Sequence, residues 1–427
     1  MPNDEIRDAA MVEGDEFLGG RRIVIGVTGG IAAYKVCELV RLCVRAGAEV
    51  RVVMTRNACE FVTPLTFETL SHHPVVTTMF GRDSNTPDGA AIRTQHIELA
   101  RWAEVLFIAP ATANIMAKAA HGIADDFLST LILATNAPIA FAPAMNTTMW
   151  NAKVTQRNAV ILRELGHTVL PTGRGQMAEP EVGDGRLLEP AELFDHLLRL
   201  LPKRGPLAGR RVIVTGGPTP EPIDPVRVIT NRSSGKMGVA LAEVAAALGA
   251  EVTFIHGPLT VSLPAGADSV SVETADEMHH AVVERLPNAD ALIMAAAVAD
   301  YRPRERAKQK IKKHTGDLSI DLVPTIDILS DVATRKDRQV IVGFAMETDS
   351  AKADEHVRDR ISRKDLDLVA LNMIGEPGAG FGVDTNRITL YHRNGAREAL
   401  PLMGKRAAAK RICEAAARMI DERAEKA

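Results

Sequence analysis

Apolar and polar positions alternate along this chain with the same opening twice. After Gly20 the text reads R-R-I-V-I-G-V-T-G-G-I-A-A-Y-K. That is a buried β-branched run, a glycine turn and an amphipathic register that continues to about Ala46, which predicts a strand feeding a helix. A second strand, Val50 to Met54, follows G-A-E. The pattern returns at Gly209-Arg210-Arg211, where a strand through Val212 to Val214 ends in T-G-G, and Gly249-Ala250-Glu251-Val252 opens the next strand. Further short apolar runs are Val105 to Ala109, stopped by Pro110, Ile139 to Ala142, Ala291 to Ala297, 342 to 348, and the strand around Leu368 to Leu371. Helices are expected at Val239 to Leu248, Glu189 to Leu201, up to about Asp365, and at the C-terminus, which a further strand precedes. The fold class is α/β: two tandem Rossmann-like domains with mainly parallel sheets.

Length changes this picture only by dividing it. A chain of 427 residues exceeds one ordinary core and is expected to form two domains of roughly 200 residues each. The proposed boundaries are a mobile acidic tail at 1–19, a first domain at 20–190, a connecting helix and linker at 191–208, where P-K-R-G-P-L-A-G runs from Pro202 to Gly209, and a second domain at 209–427. A net charge of -3 and 4% aromatic residues provide neither a basic stacking groove for nucleic acid nor a basic membrane surface. No apolar run approaches the ~20 residues that span a bilayer. Cys37, Cys43, Cys59 and Cys413 lack metal-ligand spacing, and without a signal peptide they read as reduced thiols of a cytoplasmic protein.

The candidate chemistry gathers at predicted strand ends, where open parallel sheets bind ligands. In the first domain these are Gly29 and Gly30, Thr55, the segment A-T-A-N-I after Pro110, and P-A-M-N-T-T-M-W after the strand at 139. In the second, Gly216 and Gly217 end a strand, yet about twenty residues with four prolines intervene before the next helix. That detour places Asn231, Ser233, Ser234 and Lys236 beside a helix N-terminus, a site for anions, or else an ordinary polar cap. Lys308 to Lys313, K-Q-K-I-K-K, reads as a triphosphate clamp or as a solvated basic face, and Lys310 and Lys364 are the cations of interest. His96 opens an amphipathic helix; its ordinary pKa near ~6.5 suits proton transfer, and a surface or capping role fits the same spacing. Gly173 to Arg186, without apolar period and rich in glycine, suits a lid and equally a plain surface loop.

Taken together, T-G-G-I-A-A-Y-K, H-I-E-L-A, A-P-A-T-A-N and P-A-M-N-x-x-M-W resemble the flavin-containing cysteine decarboxylases, and I-D-P-V-R-x-I-x-N-x-S-S-G-K-M-G, A-A-A-V-A-D-Y and K-I-K-K resemble the phosphopantothenate–cysteine ligases. Over residues 20 to 425 the order of motifs is similar to that of the bacterial family in which phosphopantothenoylcysteine decarboxylase is fused to that ligase. For the first domain the resemblance implies a flavodoxin-like flavoprotein and FMN-dependent oxidative decarboxylation. The cysteine β-carbon gives up a hydride, CO₂ leaves to an ene-thiolate, and the returned hydride yields 4′-phosphopantetheine. It implies that Gly29, Gly30, Ile31, Thr55, Thr112, Ala113, Asn114, Ile115 and Ala144 hold FMN, that His96 is the catalytic base, and that Asn146 grips the substrate carboxylate.

For the second domain the resemblance implies that CTP, with Mg²⁺, activates 4′-phosphopantothenate as an acyl-cytidylate from which cysteine displaces CMP. Met294, Ala295, Ala296, Asp300, Lys310, Ile326, Asp327, Ile328, Leu329, Phe344, Arg360 and Lys364 match its CTP positions. The anion site of Gly216, Gly217, Ser234, Gly235, Lys236 and Met237 is added to them. Asn231 matches a residue that processes the acyl-cytidylate and Lys310 one that makes it; metal ligands are not identified. By analogy the chain assembles as a homo-oligomer of decarboxylase trimers and ligase dimers, a dodecamer.

Three segments depart from the family pattern. Where its lid carries A-C-G-D-x-G-x-G-R, this chain reads A-E-P-E-V-G-D-G-R, so Glu179 occupies the place of the proton-donating cysteine and is a candidate donor if desolvation raises its pKa. Arg360 stands for a usual lysine, and T-I-D-I-L for N-P-D-I-L. Two other readings compete. A nicotinamide dehydrogenase is disfavoured because neither glycine turn completes G-x-G-x-x-G. A working ligase joined to an impaired or regulatory flavin-binding domain rests on the missing lid cysteine alone.

Overall fold

The computed structural model describes residues 17–79, 95–176, 182–312, 318–347, 350–373 and 382–425. Glu179, Lys313 and the acidic tail up to residue 16 lie outside the described residues. The described chain divides into two units, Leu18–Pro202 and one built from Lys203 onward together with Phe17.

In the first unit, β1 (Arg22–Val27), β2 (Glu49–Met54), β3 (Val105–Ala111), β4 (Ile139–Pro143) and β5 (Thr168–Val169) form one parallel sheet in the order β2-β1-β3-β4-β5. The chain moves outward from β1 to β2 and returns past it to β3, so a crevice opens at the carboxyl ends of β1 and β3. Every residue of β3 is buried, as expected of a parallel strand covered on both faces. The sequence expectation that Pro110 ends this strand is corrected: β3 runs on to Ala111, with the pairing to β4 shifting register between Ile108 and Ala111. Proline cannot donate to a ladder, and that shift accommodates it. Two helices begin as their sequences dictate. Thr112 caps Ala113–His121 by accepting from Ile115 N–H. Glu189 and Glu192 form a capping box over Pro190–Leu200.

The glycine-rich stretch expected to be a lid or loop is an antiparallel ribbon of β6 (Gly173–Gln176) and β7 (Val182–Arg186). Its base is fixed by close approach. Gly185 has φ 121°, and a Cβ there would meet the Met145 carbonyl at 2.3 Å; at Gly183 one would meet the Thr147 hydroxyl at 2.4 Å.

In the second unit, the main strands are β8 (Arg211–Gly216), β11 (Glu251–His256), β12 (Asp268–Ser271), β13 (Ala291–Met294), β16 (Val340–Glu347), β17 (Leu368–Met373), β19 (Ile388–His392) and β20 (Arg397–Ala399). They form one sheet in the order β12-β11-β8-β13-β16-β17-β19-β20, parallel up to β17 and antiparallel beyond it. The intervening short strands, β9 (Glu221–Pro222) with β10 (Val228–Ile229), β14 (Tyr301–Pro303) with β15 (Leu322–Pro324), and β18 (Thr385–Asn386) with β21 (Met403–Gly404), make two-stranded ribbons. The crevice here lies between β8 and β13.

Two boundaries differ from the sequence expectation. The helix expected from Val239 begins at Lys236, because Gly235 at φ 79° turns the chain and Gly238 packs so closely on β8 that a Cβ would lie 2.7 Å from Gly216. The strand expected to reach Ala297 stops at Met294. Its continuation leaves the sheet because Ala296 N–H donates to the Thr215 hydroxyl at 3.1 Å and Ala297 N–H to the Gly217 carbonyl at 2.9 Å. Behind the sheet, Leu241 and Val244 of Lys236–Ala247 pack with alanines 408, 409, 415 and 416 of Lys405–Ala424. No helix among the described residues is long and apolar enough to cross a membrane.

Candidate functional site

The crevice of the first unit is built from strand ends. Thr28, buried at the end of β1, donates to the Pro110 carbonyl at 2.6 Å and accepts the Thr112 N–H at 3.1 Å. Thr55 N–H donates to the Val27 carbonyl and Ala144 N–H to the Ala111 carbonyl, each at 3.0 Å. These bonds bring Gly29, Gly30, Thr55, Thr112, Ala113 and Ala144 to one half-buried rim, with Ile31 and Asn114 exposed beside it. A side chain at Gly29 would collide with Asn57 at 2.5 Å, whereas at Gly30 a Cβ would meet only Pro110 and Thr112, at 3.8 Å. Gly30 therefore leaves room at the rim. The first N–H groups of Ala113–His121 have no acceptor within their own helix and favour an anion there. Ile115 is buried in the core, so its contribution to the rim is its backbone.

Asn146 begins the helix Thr147–Asn151, its Oδ1 accepting Thr148 N–H at 2.7 Å. Met145 N–H donates to the Gly185 carbonyl at 2.9 Å, which ties the base of the β6–β7 ribbon to the same strand end. His96 lies in the helix Gln95–Trp102, half-buried, its ring edge-on to Phe127 with centroids 6.4 Å apart.

The second unit holds a cleft of about 860 Å³. It collects most of the predicted ligase positions: Asn231, Ser234, Gly235, Lys236, Met237, Met294, Ala295, Ala296, Asp300, Ile326, Asp327, Ile328, Leu329, Phe344, Arg360 and Lys364 all line it. Two helix N-termini face it. At one, Asp327 caps Ile328–Arg335 and pairs with Lys364 at 2.7 Å, while Arg360 donates to the Phe344 carbonyl at 3.3 Å. Burial pushes the Asp327 carboxyl up, but Lys364 and Ser330 together hold it below its ordinary value. At the other, Lys236 donates to the Gly382 carbonyl at 2.9 Å and pairs with Asp384 at 2.6 Å. The Asn231 amide reaches the carbonyls of Ala297 and Val298 at 3.3 and 3.0 Å. Three predicted residues stand apart. Gly216 and Gly217 do not line the cleft; they pack against Phe254, Gly238 and Pro258. Lys310 is exposed on the segment after β14 and is not among the cleft's lining residues.

Several residues that line or support this cleft escaped sequence reasoning. Lys405, buried at the start of the last helix, lines the floor and donates to the Thr385 carbonyl and Asn386 Oδ1, both at 3.1 Å. Burial, then the neighbouring charge of Lys236, pushes its amine down to about 8. Asn372 and Asn386 complete the floor, 3.3 Å apart, and Asn372 Oδ1 is buried without a hydrogen-bond partner. Thr215 and Thr219, fully buried, hold the Ala296 and Ala299 N–H groups. Only T-G-G-P-T, at a strand end, could have signalled the two threonines; nothing local marks Lys405.

Residues 12–201 match the family described as Flavoprotein, and residues 207–419 match the DNA/pantothenate metabolism flavoprotein C-terminal domain. The chain is 41% identical over 396 residues to the coenzyme A biosynthesis bifunctional protein CoaBC of Bacillus subtilis (strain 168), covering 91% of this chain and 95% of that relative. To the protein of the same name from Escherichia coli (strain K12) it is 42% identical over 392 residues, covering 91% and 94%. A crystal structure of the C-terminal domain of a CoaBC protein overlays with a TM-score of 0.44 at 38% identity, covering 51% of this chain and 99% of that one.

Proposed function

The chain belongs to the family of bifunctional coenzyme A biosynthesis proteins, and from that premise we propose that its second unit joins 4′-phosphopantothenate to cysteine at the expense of CTP, and that its first unit decarboxylates the product to 4′-phosphopantetheine. The observation that carries this reading is the cleft of the second unit, which Asn231, the loop 294–300, the N-terminus of Ile328–Arg335 and the cations Arg360 and Lys364 line together.

A carboxylate is a poor electrophile, so the ligase must first transfer its oxygen to the α-phosphorus of CTP, releasing pyrophosphate; the amine of cysteine then attacks the acyl carbon and CMP leaves. Arg360, Lys364 and the helix N-terminus beside Asp327 are suited to the triphosphate, with the 294–296 backbone and Phe344 walling the nucleoside. Mg²⁺ would supply a hard cation to the phosphate oxygens. Asn231, which lines the cleft and reaches the carbonyls of Ala297 and Val298, would process the acyl-cytidylate. Lys310 comes to the reaction from the segment after β14.

In the first unit, the space at Gly30, the Thr112-capped helix and the half-buried rim suit a phosphate-bearing flavin. Bound FMN would supply the acceptor, and later the donor, of the hydride exchanged with the cysteine-derived carbon. Asn146, at the N-terminus of its helix, would grip the substrate carboxylate through its amide, since only an N–H can donate to a carboxylate. His96 would move the proton, and Glu179, outside the described residues, would return one to the ene-thiolate. Exposed Ile31 and Tyr34, each 60% accessible beside the rim, suit burial by a neighbouring copy in a homo-oligomer of trimers and dimers.

Separate half-reactions test these roles. Lys310→Ala should release no pyrophosphate, whereas Asn231→Ala should release it without forming CMP. Equal loss of both products in both variants would remove the division of labour.

A further inference from the structure

We propose that Asp276, His279 and His280 form a binding site for one borderline divalent cation, of the zinc, cobalt or nickel class, on the helix Ala275–Arg285. It is independent of the nucleotide cleft and of any Mg²⁺ held by substrate phosphates.

The three residues stand at i, i+3 and i+4 of one helix, so their side chains share a face. One ligand atom from each lies within 4.8 Å of the other two. The hydrogen bond that each imidazole makes decides which nitrogen carries the lone pair. His279 Nε2 lies 2.8 Å from Asp331 Oδ2, so in the neutral ring that nitrogen carries the proton and Nδ1 carries the lone pair. His280 Nδ1 lies 2.7 Å from the Asp276 backbone carbonyl, an acceptor only, and 3.9 Å from Asp276 Oδ2, so its proton is on Nδ1, and the exposed ring must give up that bond and turn to bring a lone pair to an ion.

A second observation separates this group from a chance cluster of surface residues. His279 is 9% exposed, and its Nδ1 is buried without a hydrogen-bond partner. A buried lone pair lacking a donor is costly, and a metal ion is one of the few partners that satisfies it. The carboxylate of Asp331 behind Nε2 is also the arrangement that orients metal-binding histidines and raises their basicity. Asp331 is itself fixed by Arg335 Nε at 2.7 Å.

Two imidazole nitrogens with one carboxylate select a borderline ion over a hard one. Asp276 and His280 are exposed, so these two can close around an ion bound to the buried ring, at roughly 2.0–2.1 Å for zinc to nitrogen, with remaining positions left to water. Because Asp331 belongs to Ile328–Arg335, the ion would fasten that helix to Ala275–Arg285.

His279→Gln would disturb a buried contact, so the informative variant is His280→Gln, whose side chain is exposed. Untagged full-length protein, stripped with EDTA, is titrated with Co²⁺ by visible absorption and with Zn²⁺ by calorimetry. Wild type should take one equivalent per chain and show a Zn²⁺-dependent rise in Tm. His280→Gln should bind roughly tenfold or more weakly and lose the rise. Equal binding by wild type and His280→Gln, or no uptake by wild type, would overturn the site.

Discussion

Asp224 and Ile311, far apart in sequence, are locked together: the Asp224 carboxylate accepts the Ile311 N–H at 3.1 Å, and Arg227, gripped by the same carboxylate, donates to the Ile311 carbonyl at 2.5 Å. Both backbone polar groups of Ile311 are thus held by the I-D-P-V-R stretch, and Lys310 is the residue immediately before Ile311. Burial pushes the Asp224 carboxyl up, but the N–H groups of Val226 and Ile311 and the Arg227 guanidinium outweigh it and hold the group well below the usual carboxylate range. The carboxylate therefore stays charged throughout the neutral range. The proline-rich detour has a physical purpose: it builds a clamp on the segment that carries Lys310.

Asp224→Asn keeps the shape and removes the charge that holds Arg227. If Lys310 acts through this clamp, pyrophosphate release should fall by about tenfold or more, in keeping with the strength of hydrogen bonds to charged groups. Decarboxylation of supplied phosphopantothenoylcysteine by the same protein should be unchanged. Unaltered ligation would mean that Lys310 needs no such support.

If CTP occupies the cleft, Lys405 should make its binding depend on pH. Its amine sits at about 8 against an ordinary 10.5, so between these values the folded protein binds fewer protons than the unfolded chain, and this group's contribution to stability rises with pH across that window. An anion entering the cleft opposes the effects of burial and of Lys236, with Asp384 already acting in the same direction. CTP binding at pH 8 to 8.5 should therefore take up protons, seen as a dependence of the calorimetric heat on the ionisation enthalpy of the buffer, and Lys405→Met should abolish the uptake. Proton-neutral binding in that range would place the phosphates away from this floor.

Gly185→Ala probes the ribbon of the first unit. The positive φ and the Met145 carbonyl at 2.3 Å leave no room for a methyl group, so the ribbon must lift from the strand end that carries Asn146. Decarboxylation should drop by roughly an order of magnitude or more, as small misplacements of positioning groups do, with ligation intact. Full decarboxylase activity in this variant would show that the attachment has no part in catalysis.

Long-range convergence and short-range signals were not equally legible in the sequence. The β-branched runs before Gly29 and Gly216 announced parallel strands, and the strand-end segments A-T-A-N and P-A-M-N are neighbours because an open parallel sheet places its carboxyl ends together. The different strand orders of the two sheets were hidden, since nothing local distinguishes β2-β1-β3 from its counterpart across a longer crossover. Met294 as the end of β13 was also hidden: the alanines that follow carry no polar mark, and what draws them from the sheet is the hydroxyl of Thr215 some eighty residues earlier. Lys405 reads as an ordinary helix lysine until the fold buries it beside Lys236. Lys310 is the reverse case, a residue singled out by its basic neighbours whose place depends on Asp224 and Arg227.

The most direct measurement is a coupled reaction of the purified full-length protein with 4′-phosphopantothenate, cysteine, CTP and Mg²⁺, with CMP, CO₂ and the thiol product followed by mass. Two working units predict CMP and CO₂ in equal amounts with 4′-phosphopantetheine, and with it a lid that functions with Glu179 in place of cysteine. CMP accompanied by accumulating phosphopantothenoylcysteine would contradict the account for the first unit, and absence of CMP would contradict it for the second.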